Sequence, residues 1–445
     1  MKSSLSHKWL GTFLLCSMLL WLVVLPASAA PLGAPAVDGD GQLSVSPTSV
    51  TYGSGANLFT FTFTATGDFG AGTQVEIDIP NGWTPPQMGA GAGHISWYSD
   101  TCTLSGAPPV AVGAGTLTTH GIFIDMGGCT TGNSFRVTYD NATPGPVSGG
   151  PYTFPALTDI GAGGGGLTLT TAPSPTVAVN PKVLTVSATG LTPANKLYDA
   201  GDAASLTIGS PTLVGVISPD VVTLDTSLAA AHFINHDVGT GKTVYISGLT
   251  LGGAAAGNYS LTQPTRSANI LQRPLTITAV TDTKTYDGNV SSSGVPIITS
   301  GALQGSDTAN WTQTFSNKNA GTGNKVLTPA GMVNDGNSGH NYSYTYATYN
   351  SGTINKLAVT VTAETDSKVY NGTTSSTGVP LISLSLVGTD TSGFIQTFDT
   401  KNIGTNKTLT PGGAVNDGNG GANYSYTFNP DVTGVITPKG LTVSA

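Results

Sequence analysis

Apolar and polar residues alternate along this chain with a period of two, over short stretches separated by Gly, Pro and Asn. Leu58-Phe59-Thr60-Phe61-Thr62-Phe63-Thr64, Val75-Glu76-Ile77-Asp78-Ile79 and Phe135-Arg136-Val137-Thr138-Tyr139 each place every second side chain on one face. That is the pattern of half-buried strands. No window carries the stripe of an amphipathic helix, so the chain is predicted to be all-β. Strand spacing and size predict an N-terminal β-sandwich over residues 31–160. Residues 161–181 contain Gly163-Gly164-Gly165-Gly166 and Ala172-Pro173-Ser174-Pro175 and read as a Gly/Pro linker.

From residue 182 onward the pattern repeats with a period of about 84 residues. Opening strands stand at Leu184-Thr185-Val186-Ser187-Ala188, Leu275-Thr276-Ile277-Thr278-Ala279 and Leu357-Ala358-Val359-Thr360-Val361. The repeats are expected at 182–273, 274–356 and 357–439. Residues 440–445, with Leu441-Thr442-Val443-Ser444-Ala445, read as the start of a truncated fourth, so the sequence is expected to be a fragment. After each opening strand comes a corner: Lys196-Leu197-Tyr198-Asp199, Lys284-Thr285-Tyr286-Asp287-Gly288, and Lys368-Val369-Tyr370-Asn371-Gly372. Asp-Gly and Asn-Gly suit a tight turn, and a Tyr just before it can bury its ring while its hydroxyl bonds the backbone. A closing strand begins at Asn258-Tyr259, Asn341-Tyr342 and Asn423-Tyr424. Modules of this size predict small immunoglobulin-like sandwiches in tandem, with a β-grasp-like module carrying a short helix as the alternative. An array of this kind serves reach and display more than a single catalytic pocket.

Composition narrows the function. Charged residues make up 9% of the chain, with 16 basic against 24 acidic residues, so no basic stripe exists for nucleic acid. Lys2 and Lys8 precede an apolar run from Leu10 to Leu25 and the small residues of Pro26-Ala27-Ser28-Ala29-Ala30. Residues 1–30 therefore read as a cleaved secretory signal, placing the protein outside the cell or at its surface. No second apolar segment of spanning length follows, so membrane attachment is not expected within this stretch. In an oxidising compartment, Cys102 and Cys129 are expected to form a disulfide worth about 3 kcal/mol.

Candidate chemistry is sparse. His232 and His236 stand four apart, a metal pair only on a helix, and the other repeats have Thr314 and Lys318, then Thr397 and Lys401, at those places. Asn334-Asp335-Gly336-Asn337 and Asn416-Asp417-Gly418-Asn419 offer oxygens that calcium accepts, without the distal Glu of an EF-hand. Lys196, Lys284 and Lys368 recur with Asn258, Asn341 and Asn423, the residue types of an isopeptide bond, but no carboxylate is seen to recur beside them. Neither a hydrolase elbow nor a phosphate loop is present, and no enzyme or cofactor is expected. Glu76, Asp78 and Asp125, the remaining carboxylates for glycoside chemistry, are expected on the wet face of a sheet. Trp83, Trp97 and Tyr98 are the candidate ligand contacts, suited to stacking a sugar, with a core role for the tryptophans as the competing reading.

The corner, the segment Asp237-Val238-Gly239-Thr240-Gly241-Lys242-Thr243 and Gly257-Asn258-Tyr259-Ser260-Leu261-Thr262 resemble the YDG-type repeat of bacterial surface proteins. That repeat accompanies MBG modules in filamentous-haemagglutinin-like adhesins. The resemblance covers about residues 182–439 and departs at Ala200 and Asn371. It implies extracellular display, with the repeats as a stalk, the N-terminal domain as a binding tip, and a glycan or protein receptor on another surface. A structural envelope component without a receptor and a secreted carbohydrate-active enzyme with a repeat spacer are the competing readings.

Overall fold

The computed structural model describes residues 36–106, 110–161 and 166–444, and the signal-like segment 1–30 lies outside the described residues. Among these residues there is no α-helix, only two single-turn 3-10 helices at Val147–Gly149 and Ala256–Asn258. A β-grasp module needs a helix across its sheet, so the alternative fold is not the one adopted. The chain folds as two compact units. The first takes the described residues up to Ser187 with Thr212–Thr226 and Leu249–Thr262, and the second takes Ala188–Pro211, Ser227–Gly248 and everything from Gln263 onward. The division therefore passes through the first repeat.

In the first unit, Gln42–Ser46, Asn57–Thr64, Ser134–Ala142 and His94–Tyr98 form one sheet, and Thr73–Ile79 and His120–Gly128 are central to a second. Alternation decides the core: Phe59, Phe61 and Phe63 meet Phe135, Val137, Tyr139, Val75, Ile77 and Ile124 in one apolar cluster. Cys102 and Cys129 are joined by a disulfide, with Cα atoms 4.4 Å apart. The segment expected as a linker is not one over its described length. Thr168–Leu169 pairs with Ala156–Asp159, and Thr176–Asn180 pairs with both Tyr152–Thr153 and Ser49–Thr51. Val177 and Val179 enter the core, and that burial outweighs the Pro and Gly around them.

The second and third repeats each contribute two sheets. In the second repeat, Arg273–Thr278 lies between Ile297–Ser300 and Tyr342–Ala347, and Thr283–Thr285, Tyr349–Asn355, Gly321–Asn334 and Thr308–Phe315 form a four-stranded sheet. The third repeat has the same order. Register corrects the sequence alignment of the opening strands. Lys182, Arg273 and Leu357 face Tyr259, Tyr342 and Tyr424 respectively. Leu357 is thus equivalent to Lys182 and Arg273, and Val359 takes the place of Leu184 and Leu275.

The sandwiches do not coincide with the sequence repeats. Within the second unit, Tyr198, Phe233, Val244 and Ile270 of the first repeat share a core with Leu275, Ile277, Trp311, Val333 and Tyr342 of the second. Ala279, Tyr286, Phe315, Leu327 and Ile354 of the second share the next with Val359, Val361, Phe394, Val415 and Tyr424 of the third. The long hairpins of the second and third repeats each serve two cores: Trp311 and Val333 lie in one and Phe315 and Leu327 in the other, as do Phe394 and Val415 against Phe398 and Leu409.

Candidate functional site

The Lys-x-Tyr-[Asp/Asn] corner is held by its own lysine. Lys196 Nζ donates to Asp199 Oδ1 at 2.7 Å and to the Gly201 carbonyl at 2.7 Å. Lys284 does the same to Asp287 and Asn289, both at 2.8 Å, and Lys368 to Asn371 at 3.2 Å and Thr373 at 2.7 Å. Each ammonium also lies over a phenylalanine ring, Phe233, Phe315 or Phe398, at 5.6, 5.4 and 5.1 Å. The Asp or Asn side chain accepts the backbone N–H two residues on, as Asx turns do. Gly288 and Gly372 have φ of +76°, and Ala200 takes the left-handed region at +62°. Asn371 and Ala200 therefore build the corner that Asp and Gly build elsewhere.

The corner exists to place its tyrosine against the next repeat. Tyr198 and Tyr286 are buried, and their hydroxyls do not bond the local backbone as expected. Tyr198 donates to Asp307 Oδ2 at 3.1 Å, where Tyr342 also donates at 2.6 Å. Tyr286 and Tyr424 donate to Asp390 Oδ2 at 3.0 and 2.7 Å. The paired rings meet edge to face at 5.4 and 5.5 Å, a favoured aromatic geometry. Burial, then the neighbouring carboxylate, pushes the Tyr198 and Tyr286 hydroxyls up to about 12. Gly288 is needed twice, for its φ and because a Cβ there would come within 2.7 Å of Val387 Cγ1.

A second clasp lies beside the first. Asn341 Oδ1 accepts the Val238 N–H at 2.9 Å, and Asn423 Oδ1 accepts the Ala320 N–H at 2.8 Å, each reaching back one repeat. Both asparagines are fully buried. Their own backbone N–H groups bond Asp335 and Asp417, each at 3.0 Å. The loops considered for calcium are thereby explained. Asp335 accepts N–H groups from Asn337, Gly339 and Asn341, and Asp417 from Asn419, Gly421 and Asn423. Burial alone raises these carboxyls, but the amide donors overcome it and hold both below the ordinary range. A cation would have to displace those donors.

The same junction appears a third time, inside the first unit, with the N-terminal domain standing in for a repeat. Tyr52 donates to Asp220 Oδ2 at 3.0 Å and Tyr259 to the same oxygen at 2.6 Å. The rings lie edge to face at 5.6 Å, and Asn258 Oδ1 accepts the Val147 N–H at 2.9 Å. Burial and Asp220 push Tyr259 up to about 12. Tyr52 is followed by Gly53, as Tyr286 and Tyr370 are followed at one remove by Gly288 and Gly372.

Sequence reading found the tyrosines and asparagines but missed Asp220, Asp307 and Asp390. They do recur, each three residues after the N–H that bonds the closing tyrosine's hydroxyl, namely Ile217, Gln304 and Val387. Gly305-Ser306-Asp307-Thr308 and Gly388-Thr389-Asp390-Thr391 were the available signal. No isopeptide pairing forms between the recurrent lysines and asparagines, because the lysines close the corner while the asparagines reach the preceding module. His232 stacks on Tyr245 at 5.4 Å, and His236 lies beside Tyr198. Among the described residues no group of three or more His, Cys, Asp or Glu side chains is arranged to hold a metal.

The N-terminal candidates are not brought together. Trp83 is core, against Phe59, Tyr152 and Phe154. Trp97 packs on the core edge and borders a shallow groove of about 330 Å³ with Met88, His94, Ile95 and Ser96. Tyr98, its neighbour on the strand, is exposed beneath the Arg136 guanidinium at 5.4 Å. Glu76 and Asp78 are fully buried, not on a wet face. Glu76 accepts the Thr116 N–H at 2.6 Å and Asp78 the Leu117 N–H at 2.8 Å. Burial raises the Glu76 carboxyl against the hydrogen bonds from Thr116. Asp125 is apart from them, paired with Gln74.

These features define a tandem all-β repeat protein whose modules are clasped by a Tyr-Asp-Tyr triad and an asparagine-amide bond. The YDG domain matches residues 180–267, 271–349 and 355–433, and the chain belongs to the YDG-domain family. The family is not one of enzymes. No curated protein matches the chain.

Proposed function

We propose that this is an exported, adhesin-like surface protein in which the YDG repeats form a stalk that carries the N-terminal domain as its binding part. The observation that carries this reading is the junction at Tyr52, Asp220 and Tyr259, through which the N-terminal domain joins the first repeat with the chemistry that joins one repeat to the next. A domain joined in this way is packed against part of the first repeat rather than tethered to it. The signal-like segment and the disulfide agree with an extracytoplasmic site. The receptor class is a glycan or a protein on another surface, and the groove beside Trp97 is its first contact.

Binding of the exported chain to immobilised glycans and surface proteins tests the reading. Retention that is weakened by Trp97→Ala is the expected result. If no ligand is retained and cells depleted of the protein attach normally, a structural envelope role replaces adhesion. Amino-terminal sequencing of the exported form should begin at the end of segment 1–30, and retention of that segment would refute cleavage.

A further inference from the structure

Two shallow grooves lie side by side on the second repeat, with Met332 and Ser338 common to both. One, of about 440 Å³, has Thr308, Asn310 and Asn334 along it. The other, of about 430 Å³, has Gln272, His340, Ser343 and the rings of Tyr344 and Tyr346. These rings stack 6.0 Å apart and 17° from parallel. Each is fixed by its hydroxyl: Tyr344 donates to the Gly339 carbonyl at 2.8 Å, and Tyr346 to that of Gly331. Tyr346 nevertheless keeps 40% of its surface exposed. His340 Nδ1 lies 2.8 Å from the Asn337 carbonyl, which can only accept, so Nδ1 carries the proton and Nε2 is left as an acceptor. The side chains of Thr308, Asn310, Asn334 and Ser338 are exposed and have no hydrogen-bond partner among the described residues. No Asp, Glu, Lys or Arg lines either groove.

The third repeat shows that the fold does not ask for these groups. Its loop makes the same bonds to Asp417 that the second makes to Asp335, and its rings Tyr426 and Phe428 stack in the same way at 5.9 Å. Yet Gly393, Ala414, Gly420 and Ala422 stand where the second repeat has Asn310, Met332, Ser338 and His340. Ser338 even takes a φ of +56°, a region that Gly420 enters freely at +62°. Amide, thioether, hydroxyl and imidazole are thus additions to a surface that folds without them.

We propose that the second repeat carries a binding site for an uncharged oligosaccharide. One sugar ring lays its C–H face on Tyr346 and directs hydroxyls to His340 Nε2 and Ser343. The next ring crosses Met332 into the groove of Asn310 and Asn334, whose amides both donate and accept. An aromatic face held in place among uncharged donors and acceptors suits a sugar, whereas a charged ligand would give up its hydration and find no ion partner there. The inference does not depend on what the N-terminal domain binds.

The test titrates the full chain with hexasaccharides of glucose, mannose, galactose and N-acetylglucosamine, all uncharged, and with polygalacturonate as the charged comparison, while the ring resonances of Tyr346 and His340 are followed. At least one neutral hexasaccharide should shift both, with the same affinity at low and high salt. Tyr346→Ala should weaken that binding about tenfold or more. The triple change Met332→Ala, Ser338→Gly and His340→Ala should do the same, and it installs residues with which the third repeat already folds. Trp97→Ala should leave it unaltered. Three results overturn the proposal. One is the absence of any shift with all of the neutral hexasaccharides. Another is tighter, salt-sensitive binding of polygalacturonate at these rings. The last is binding that survives the triple change and disappears in Trp97→Ala, which would place the sugar on the N-terminal domain.

Discussion

At the scale of the residue, the aspartate between two tyrosines decides the strength of each junction. Asp390 accepts from Tyr286 and Tyr424 through one oxygen, so removing it leaves two buried hydroxyls without an acceptor. Asp390→Ala should cost about 2–3 kcal/mol, and Tyr286→Phe about 1 kcal/mol, by denaturant unfolding. Equal costs for the two would deny the carboxylate its double role. The hydroxyls also set an alkaline limit. Tyr198 and Tyr286 are raised from 10.0 to about 12, so their contribution is complete below pH 10 and is lost as pH rises through 12. Unfolding midpoints followed from pH 9 to 12 should fall across that window, and less so in Tyr286→Phe. Asp335 and Asp417 act in the opposite direction. Their carboxyls lie below the ordinary 3.8, so their contribution is present above that value and is lost as pH falls through the lowered one.

At the scale of the element, the long hairpin is the part that ties neighbouring cores together. The Leu327 to Asn334 part of Gly321–Asn334 pairs with all of Thr308–Phe315, and the strand keeps one phase from Lys325 to Val333, which sends Leu327 and Val333 to different cores. Gly331 makes this continuous run feasible, because its φ is +120° and a Cβ would come within 2.0 Å of the Asn310 carbonyl oxygen. Gly331→Ala should therefore destabilise by about 1–3 kcal/mol, and exchange should accelerate at both ends of the hairpin. Acceleration at one end alone would separate the two cores. Periodicity marked these strands well, since alternation is imposed by the pleat and survives any arrangement of sheets. It missed Thr176–Asn180, where Pro and Gly nearby suggested a linker, because local turn residues say nothing about a distant sheet edge waiting for a partner.

At the scale of the whole molecule, repeats that share cores cannot unfold independently. A solenoid of this type is stabilised mainly by its interfaces, and coupling passes from neighbour to neighbour. Phe394 belongs to the third repeat by sequence but is buried with Leu327 and Ile354 of the second. Phe394→Ala should cost about 3–5 kcal/mol and raise hydrogen exchange in the second repeat as well as the third. Independent beads would confine the change to the third. The sequence alone determined the all-β class, the repeat and its period, the cysteine pair, and the corner and closing residues, because each is a local pattern. Only the tertiary structure decided which sheets share a core, why Tyr198 and Tyr286 are buried, and that Asp220, Asp307 and Asp390 hold the modules together. The reason is physical: an apolar stripe shows that a face must be covered but not by which sheet, and each corner tyrosine finds its acid more than 100 residues away.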